Sequence, residues 1–262
     1  MNFPRCSFFS LSLFVSLFVI YSCNDDDHHN ACRPTSLRNQ DDSTVFEYNN
    51  ADKVASIIHY IPATSYLEEE RLEYDDNGRL KRVSFFANNG QLVKLYELIY
   101  DGNGNPQKMN RWGNDPSFEP TVTTFYHDSK GRLTKREFTN GFDITAGIYE
   151  YYSDGRVARF SYQYGSDPVV LGHENLSYDK RKRFFGWVPE LDVLYIYIHG
   201  FDPGETNVLT SRIYAASPLF IYPEPHDVSH EVRYDKSGRV KNVVSLTENG
   251  GWMYSDIKYE SR

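Results

Sequence analysis

The chain has 262 residues, with 28 Lys and Arg against 36 Asp and Glu, and a formal net charge of −8. Phosphate contacts need clustered Lys and Arg, so an acidic chain without a basic block excludes nucleic acid as a partner. Aromatic residues make up 16% of the chain, 21 of them tyrosine, a composition suited to strands.

Residues 1–22 read as a signal peptide. Arg5 supplies a short basic region. The apolar run "FFSLSLFVSLFVIYS", Phe8 to Ser22, is shorter than the ~20 residues of a membrane-spanning helix and fits the hydrophobic region of a secretory signal. Ile20, Ser22 and Cys23 resemble a bacterial lipobox, in which the signal is cut before the cysteine and that cysteine carries the lipid. The resemblance implies lipidation at Cys23 and a membrane partner through that anchor. The acidic run "NDDD" that follows resembles surface-export signals of some Gram-negative lipoproteins. Residues 23–43 are polar and lack hydrophobic periodicity, so they read as the lipidated Cys and a disordered tether. With Cys6 leaving in the signal and Cys23 acylated, Cys32 stands alone and no disulfide framework is available.

Residues 44–262 carry a repeat. "YDDNGRL" begins at Tyr74, "YDGNGNP" at Tyr100, "HDSKGRL" at His127, "YYSDGRV" at Tyr151 and "YDKSGRV" at Tyr234. Weaker copies place Tyr48, Tyr178 and Tyr259 at the same position, and the first six copies are 26, 26, 27, 24 and 27 residues apart. Two residues before each stand Phe46, Leu72, Leu98, Phe125, Tyr149, Leu176, Val232 and Ile257, all apolar. Alternation with period two marks a strand with one buried face. The Asp that follows most of these positions starts a turn by accepting a backbone N–H two residues on. Gly three residues later fits a type I turn with a G1 bulge. Each repeat is therefore a hairpin, and the chain is an antiparallel meander of about 16 strands. Between Tyr178 and Tyr234 the rhythm breaks. "LDVLYIYIHG" and "NVLTSRIYA" read as a strand pair around "FDPGE", and "SPLFIYPEPH" reads as a loop or an edge.

So many hairpins curl rather than lie flat, and closure buries the apolar face. A round barrel of this strand number has a lumen too wide for side chains to fill, so it flattens, holds water or is plugged by a loop. Strand 66–74 carries Glu68 and Glu70 on one face and Glu69, Arg71 and Glu73 on the other. Neither face suits lipid, and the expected barrel is water-soluble. The motifs "YDDNGRL", "HDSKGRL" and "YDKSGRV" resemble the YD repeats of RHS proteins. With the lipobox and this size, the chain resembles a family of gut-bacterial lipoproteins of unknown function with a porin-like fold, which implies a closed or nearly closed, flattened barrel over 44–262.

For chemistry, the loops opposite the Tyr-Asp-Gly turns, 60–65, 87–91, 113–120, 140–146, 165–171 and 247–251, are the expected binding end. Trp112 and Trp252 fall near it, and with Asn114 and Asp115 they form the candidate ligand contacts. An indole stacks on an apolar sugar face while polar neighbours bind hydroxyls. His226, His230 and Asp227 supply too few ligands for a metal. No phosphate loop, nucleophile elbow or cofactor motif appears, so no metal, cofactor or catalytic residue is assigned. The expectation is a lipid-anchored, cell-surface protein of the outer membrane, facing out or into the periplasm. It is a non-enzymatic binding or interaction module for a glycan or an envelope protein. The alternatives are a hydrolase using loop carboxylates and a structural subunit of an envelope complex.

Overall fold

The computed structural model describes residues 32–38, 42–61, 66–114, 119–139, 144–182, 188–199, 203, 206–217, 220–236, 239–247 and 252–261. Sixteen strands run through them. The first eight are β1 (Cys32–Arg38), β2 (Ser43–Tyr48), β3 (Val54–Ile61), β4 (Tyr66–Tyr74), β5 (Leu80–Ala87), β6 (Leu92–Tyr100), β7 (Pro106–Trp112) and β8 (Thr121–His127). The rest are β9 (Leu133–Thr139), β10 (Ile144–Tyr151), β11 (Val157–Tyr164), β12 (Val170–Lys182), β13 (Thr206–Ser217), β14 (Phe220–Tyr234), β15 (Val240–Thr247) and β16 (Trp252–Ser261). Each pairs antiparallel with its chain neighbours, and β1 pairs with β16, so the sheet closes on itself. β1 lies inside the stretch that composition assigns to the tether. It is held by β16 and β2, and the carbonyl of Pro34 accepts the Tyr48 hydroxyl at 2.7 Å. None of these partners leaves a local pattern in the sequence.

The repeat residues form one interlocking unit. Asp75 Oδ1 accepts the backbone N–H groups of Asn77 and Arg79 at 3.0 and 2.8 Å, and its Oδ2 accepts Arg79 Nε at 2.8 Å. Gly78 sits at φ +74°, a conformation that strains any residue with a Cβ. Asp128 and Asp235 hold Arg132 and Arg239 in the same way. Each of these arginines also lies over the tyrosine of the next copy: Arg79 over Tyr100 and Arg132 over Tyr151, both at 4.4 Å, and Arg239 over Tyr259 at 4.7 Å. The tyrosine hydroxyls reach back one hairpin. Tyr74 donates to the Val54 carbonyl, Tyr100 to Leu80 and Tyr151 to Leu133, each at 2.6 Å. A register shift beside the Tyr position recurs in these hairpins, as between Glu73 and Tyr74 or Ile99 and Tyr100. The end built from these turns is therefore lined by tyrosines and stitched from copy to copy.

The alternation places Phe46, Leu72, Leu98, Phe125, Tyr149 and Ile257 inside, all buried. Leu176 is the exception, 42% exposed. Register shifts between Asn175 and Ser177 and between Ser177 and Tyr178 put Asn175 in the inward place. A one-residue slip sends a side chain to the other face. Asn175 is satisfied there, accepting from Ser211 Oγ at 2.7 Å and donating to the Val157 carbonyl at 3.3 Å. Outward faces carry ion pairs, among them Arg71–Glu69, Arg82–Glu73 and Arg159–Glu174. These strands lack the apolar outer band of a spanning barrel, and no helix among the described residues is long and apolar enough to cross a membrane.

Three segments differ from the sequence reading. "LDVLYIYI" is not a strand: α1 (Pro189–Val193) continues as a π-helical turn over Leu194–Ile198. Its alternating aromatic and β-branched residues favour a strand, but burial of Leu191, Leu194 and Ile196 inside the barrel favours the helix. Pro189 at its start is preorganised for a helix. Val188, Leu191 and Leu194 have no exposed surface, and this segment plugs the lumen, as one of the three alternatives for a wide barrel requires. Second, residues 220–226 of the proline-bearing segment read as a loop or an edge lie in β14, whose pairing with β13 is interrupted by two register shifts. Third, 87–91 is a tight turn like those of the other end, with Gly90 at φ +74° and the Ala87 N–H bonded to the Gln91 carbonyl at 3.0 Å.

Candidate functional site

The plug enters beside the tyrosine-lined end, where Glu190 Oε1 accepts the Val54 N–H at 3.3 Å, and runs toward the far end. There it meets β4. Glu70 follows the same alternation as Leu72, so it points inward, and it is only 1% exposed. One of its oxygens accepts His59 Nε2 at 2.7 Å, and the other accepts His199 Nε2, at the end of the plug, at 3.2 Å. His59 Nδ1 lies 3.0 Å from Thr44 Oγ1. Burial alone would raise the Glu70 carboxyl, but the hydrogen bonds from His199 and His59 outweigh it and hold the group below its usual range. Burial likewise works against the His59 cation, but the bond to Glu70 and its charge, with Glu68 and Asp42 further off, push His59 up. A carboxylate with both oxygens committed to imidazoles is a clasp between barrel wall and plug. No group of three His, Cys, Asp or Glu among the described residues is placed to hold a metal ion.

Next to the clasp the lumen is open. A cavity of about 360 Å³ lies between the far halves of β6 to β11 and the end of the plug. Its walls are aromatic, from Tyr96, Phe138, Phe160, Tyr162 and Tyr197, with the Thr123 and Thr145 hydroxyls between them. Phe85 links it to the clasp, standing 5.3 Å from the Tyr96 ring and 6.1 Å from the His199 ring. Two cations enter it. Arg111 lies 5.8 Å from the Tyr96 ring, and Arg136 lies 5.5 Å from the Phe160 ring and 5.8 Å from the Tyr149 ring. Gly147 makes room for Arg136: a Cβ there would stand 2.8 Å from the Phe160 ring and 2.9 Å from Arg136 Nε. Among the described residues the lining contains no carboxylate. Chemically the cavity offers stacking surfaces, two hydroxyls and two fixed guanidinium groups.

Of the residues chosen from sequence, the described Trp112 and Asn114 do not line this cavity. Trp112 ends β7 opposite Leu95, on the face away from Met109 and Arg111, and Asn114 follows it, exposed. Trp252 begins β16 opposite Leu246, nearly across the ring from β7. Asp115 and Cys23 lie outside the described residues. Arg111, Arg136, Glu70, His59 and His199 were passed over. The signal was available for the strand residues: each is a charged or titratable group on a face whose neighbours two positions away are apolar, Met109 before Arg111 and Leu72 after Glu70. Such a group needs a buried partner or a ligand. His199, 129 residues from Glu70, gave no such signal.

No protein-family model and no curated protein matches the chain. Among solved structures it is similar to a porin-like protein from Bacteroides uniformis ATCC 8492, at 11% identity and TM-score 0.55, over 87% of this chain and 96% of that one. It also aligns with the Tc holotoxin pore of Photorhabdus luminescens at 11% identity and TM-score 0.33, over 78% of this chain and 12% of the toxin chain. For a TcdB2–TccC3 structure the identity is 10% and the TM-score 0.33, over 84% of this chain and 14% of that one. Likeness at 11% identity over nearly the whole of both chains concerns architecture, and the fold is a porin-like β-barrel.

Proposed function

We propose that this chain is a lipid-anchored, cell-surface protein of the outer membrane that binds a glycan inside the open end of its plugged barrel, without catalysis. The observation that carries the reading is the aromatic cavity beside the plug. Flat rings spaced by hydroxyls and fixed donors suit the alternating apolar faces and hydroxyl rims of sugars. Ion pairs around the outer wall fit a barrel standing in water on a tether. The described turn carboxylates Asp75, Asp101, Asp128 and Asp235 are tied to their own turns, and Glu70 is tied to two histidines, which supports binding over hydrolysis.

A glycan array followed by calorimetry tests the binding. Affinity for a hit should fall about tenfold or more in Tyr162→Ala and stay unchanged in Trp112→Ala. Loss in Trp112→Ala alone would move the site to the outer wall, and turnover abolished by one Asp or Glu substitution would make the protein a hydrolase. The anchor has its own assay: palmitate labelling should vanish in Cys23→Ala, and persistent labelling would remove the anchor from the proposal.

A further inference from the structure

We infer that the ligand of this cavity is acidic, a sugar whose carboxylate, sulfate or phosphate groups are met by Arg111 and Arg136. The inference rests on the glycan reading for the sugar and on the two arginines for the charge. Most described arginines are matched to carboxylates: Arg71, Arg79, Arg82, Arg132, Arg156, Arg159, Arg212, Arg233 and Arg239 all form ion pairs within 4.0 Å. Arg111 and Arg136 pair with no carboxylate among the described residues, although the chain carries eight more acidic than basic groups. Their contacts are aromatic faces, which orient a guanidinium without neutralising it. Both line the one cavity because of register. Arg111 pairs with Thr121 on one side of β8, and Arg136 pairs with Phe125 on the other, so Thr123 lies between them on the same inward face. Two inter-strand spacings and four residues along β8 separate their backbones, about 16 Å, a span that an oligosaccharide with anionic substituents covers.

The energetics point the same way. Arg111 is exposed at the cavity's rim, whereas Arg136 is half-buried, and a half-buried cation is costly without a counter-charge. A planar guanidinium matches oxyanions through paired N–H donors, so each of the two defines an anion position on the cavity wall. The Gly147 cradle keeps Arg136 from being pushed aside by its cross-strand neighbour.

The test is calorimetry on the full chain with three matched probes: a galacturonate trisaccharide, a sulfated disaccharide and a neutral trisaccharide. The protein should bind one acidic probe about tenfold or more tighter than the neutral one, and added salt should weaken that preference. Arg111→Gln and Arg136→Gln should each remove most of the preference while leaving the neutral probe within about threefold. Equal binding of acidic and neutral probes, or preference intact in both variants, overturns the inference while leaving the glycan reading standing. Citrate bound in an arginine-dependent way with no sugar bound has the opposite meaning: the anion site stands and the glycan reading falls. No binding of any probe overturns both. Should either variant fail to fold, the selectivity and salt dependence of the unaltered protein decide alone.

Discussion

Glu70 offers neither oxygen to water, and this decides how the protein responds to pH. Its folded carboxyl is held below the ordinary 4.5, so its contribution is complete above that value and is lost as pH falls through the lowered one. His59 is held above the ordinary 6.5, so its contribution is complete below 6.5 and is lost as pH rises through the raised value. The clasp is therefore strongest in mildly acidic solution and weakens on both sides. Glu70→Gln keeps the shape but removes the charge that both imidazoles address. It should cost about 2–3 kcal/mol near pH 6 and flatten the pH dependence on both limbs, as read by urea unfolding between pH 4 and 8. An unchanged profile would show that the clasp contributes nothing to stability.

At the scale of the element, one departure from the repeat is informative. Seven of the eight aligned copies have Tyr where His127 stands. Tyrosines in this position reach back to a carbonyl of the preceding hairpin, but His127 Nε2 lies 3.0 Å from the Tyr197 hydroxyl of the plug. Tyr197 also packs edge-on against Phe125 at 4.9 Å, and burial raises its hydroxyl to about 12. The repeat gives way where the plug docks. His127→Tyr should therefore lower stability by about 1–2 kcal/mol, although it restores the consensus, because the larger ring crowds Tyr197 and loses its bond. A rise in melting temperature would mean that His127 is a neutral variation and that the plug is seated by other contacts.

For the whole molecule, what could be read in the sequence was what is encoded locally. Asp, Gly and Arg within one turn fix each hairpin, so the strand count, the inward face and the closed barrel followed from seven-residue words. The slip at Leu176 was hidden because a bulge adds one residue without changing the turn that follows. The plug was hidden because "LYIYI" has strand propensity, and only packing inside the barrel makes it helical. The cavity was missed for a related reason. Attention went to tryptophans beside loops, whereas the polar groups that matter are mid-strand residues whose inward direction acquires meaning only once the lumen is known to be partly empty.

The pairing of β1 with β16 has a consequence for how the molecule comes into being. Cys32 faces Ser261 across that seam, so the two edges that must join are the first and last strands made. Until β16 has been synthesised, the nascent sheet presents a long row of open backbone groups, and the plug between β12 and β13 has only a partial wall to lean on. Sealing the ring is an event of very high sequence separation, the slowest kind of contact to form. Closure must therefore wait until β16 has emerged, an interval when stray edge-to-edge association competes with proper sealing.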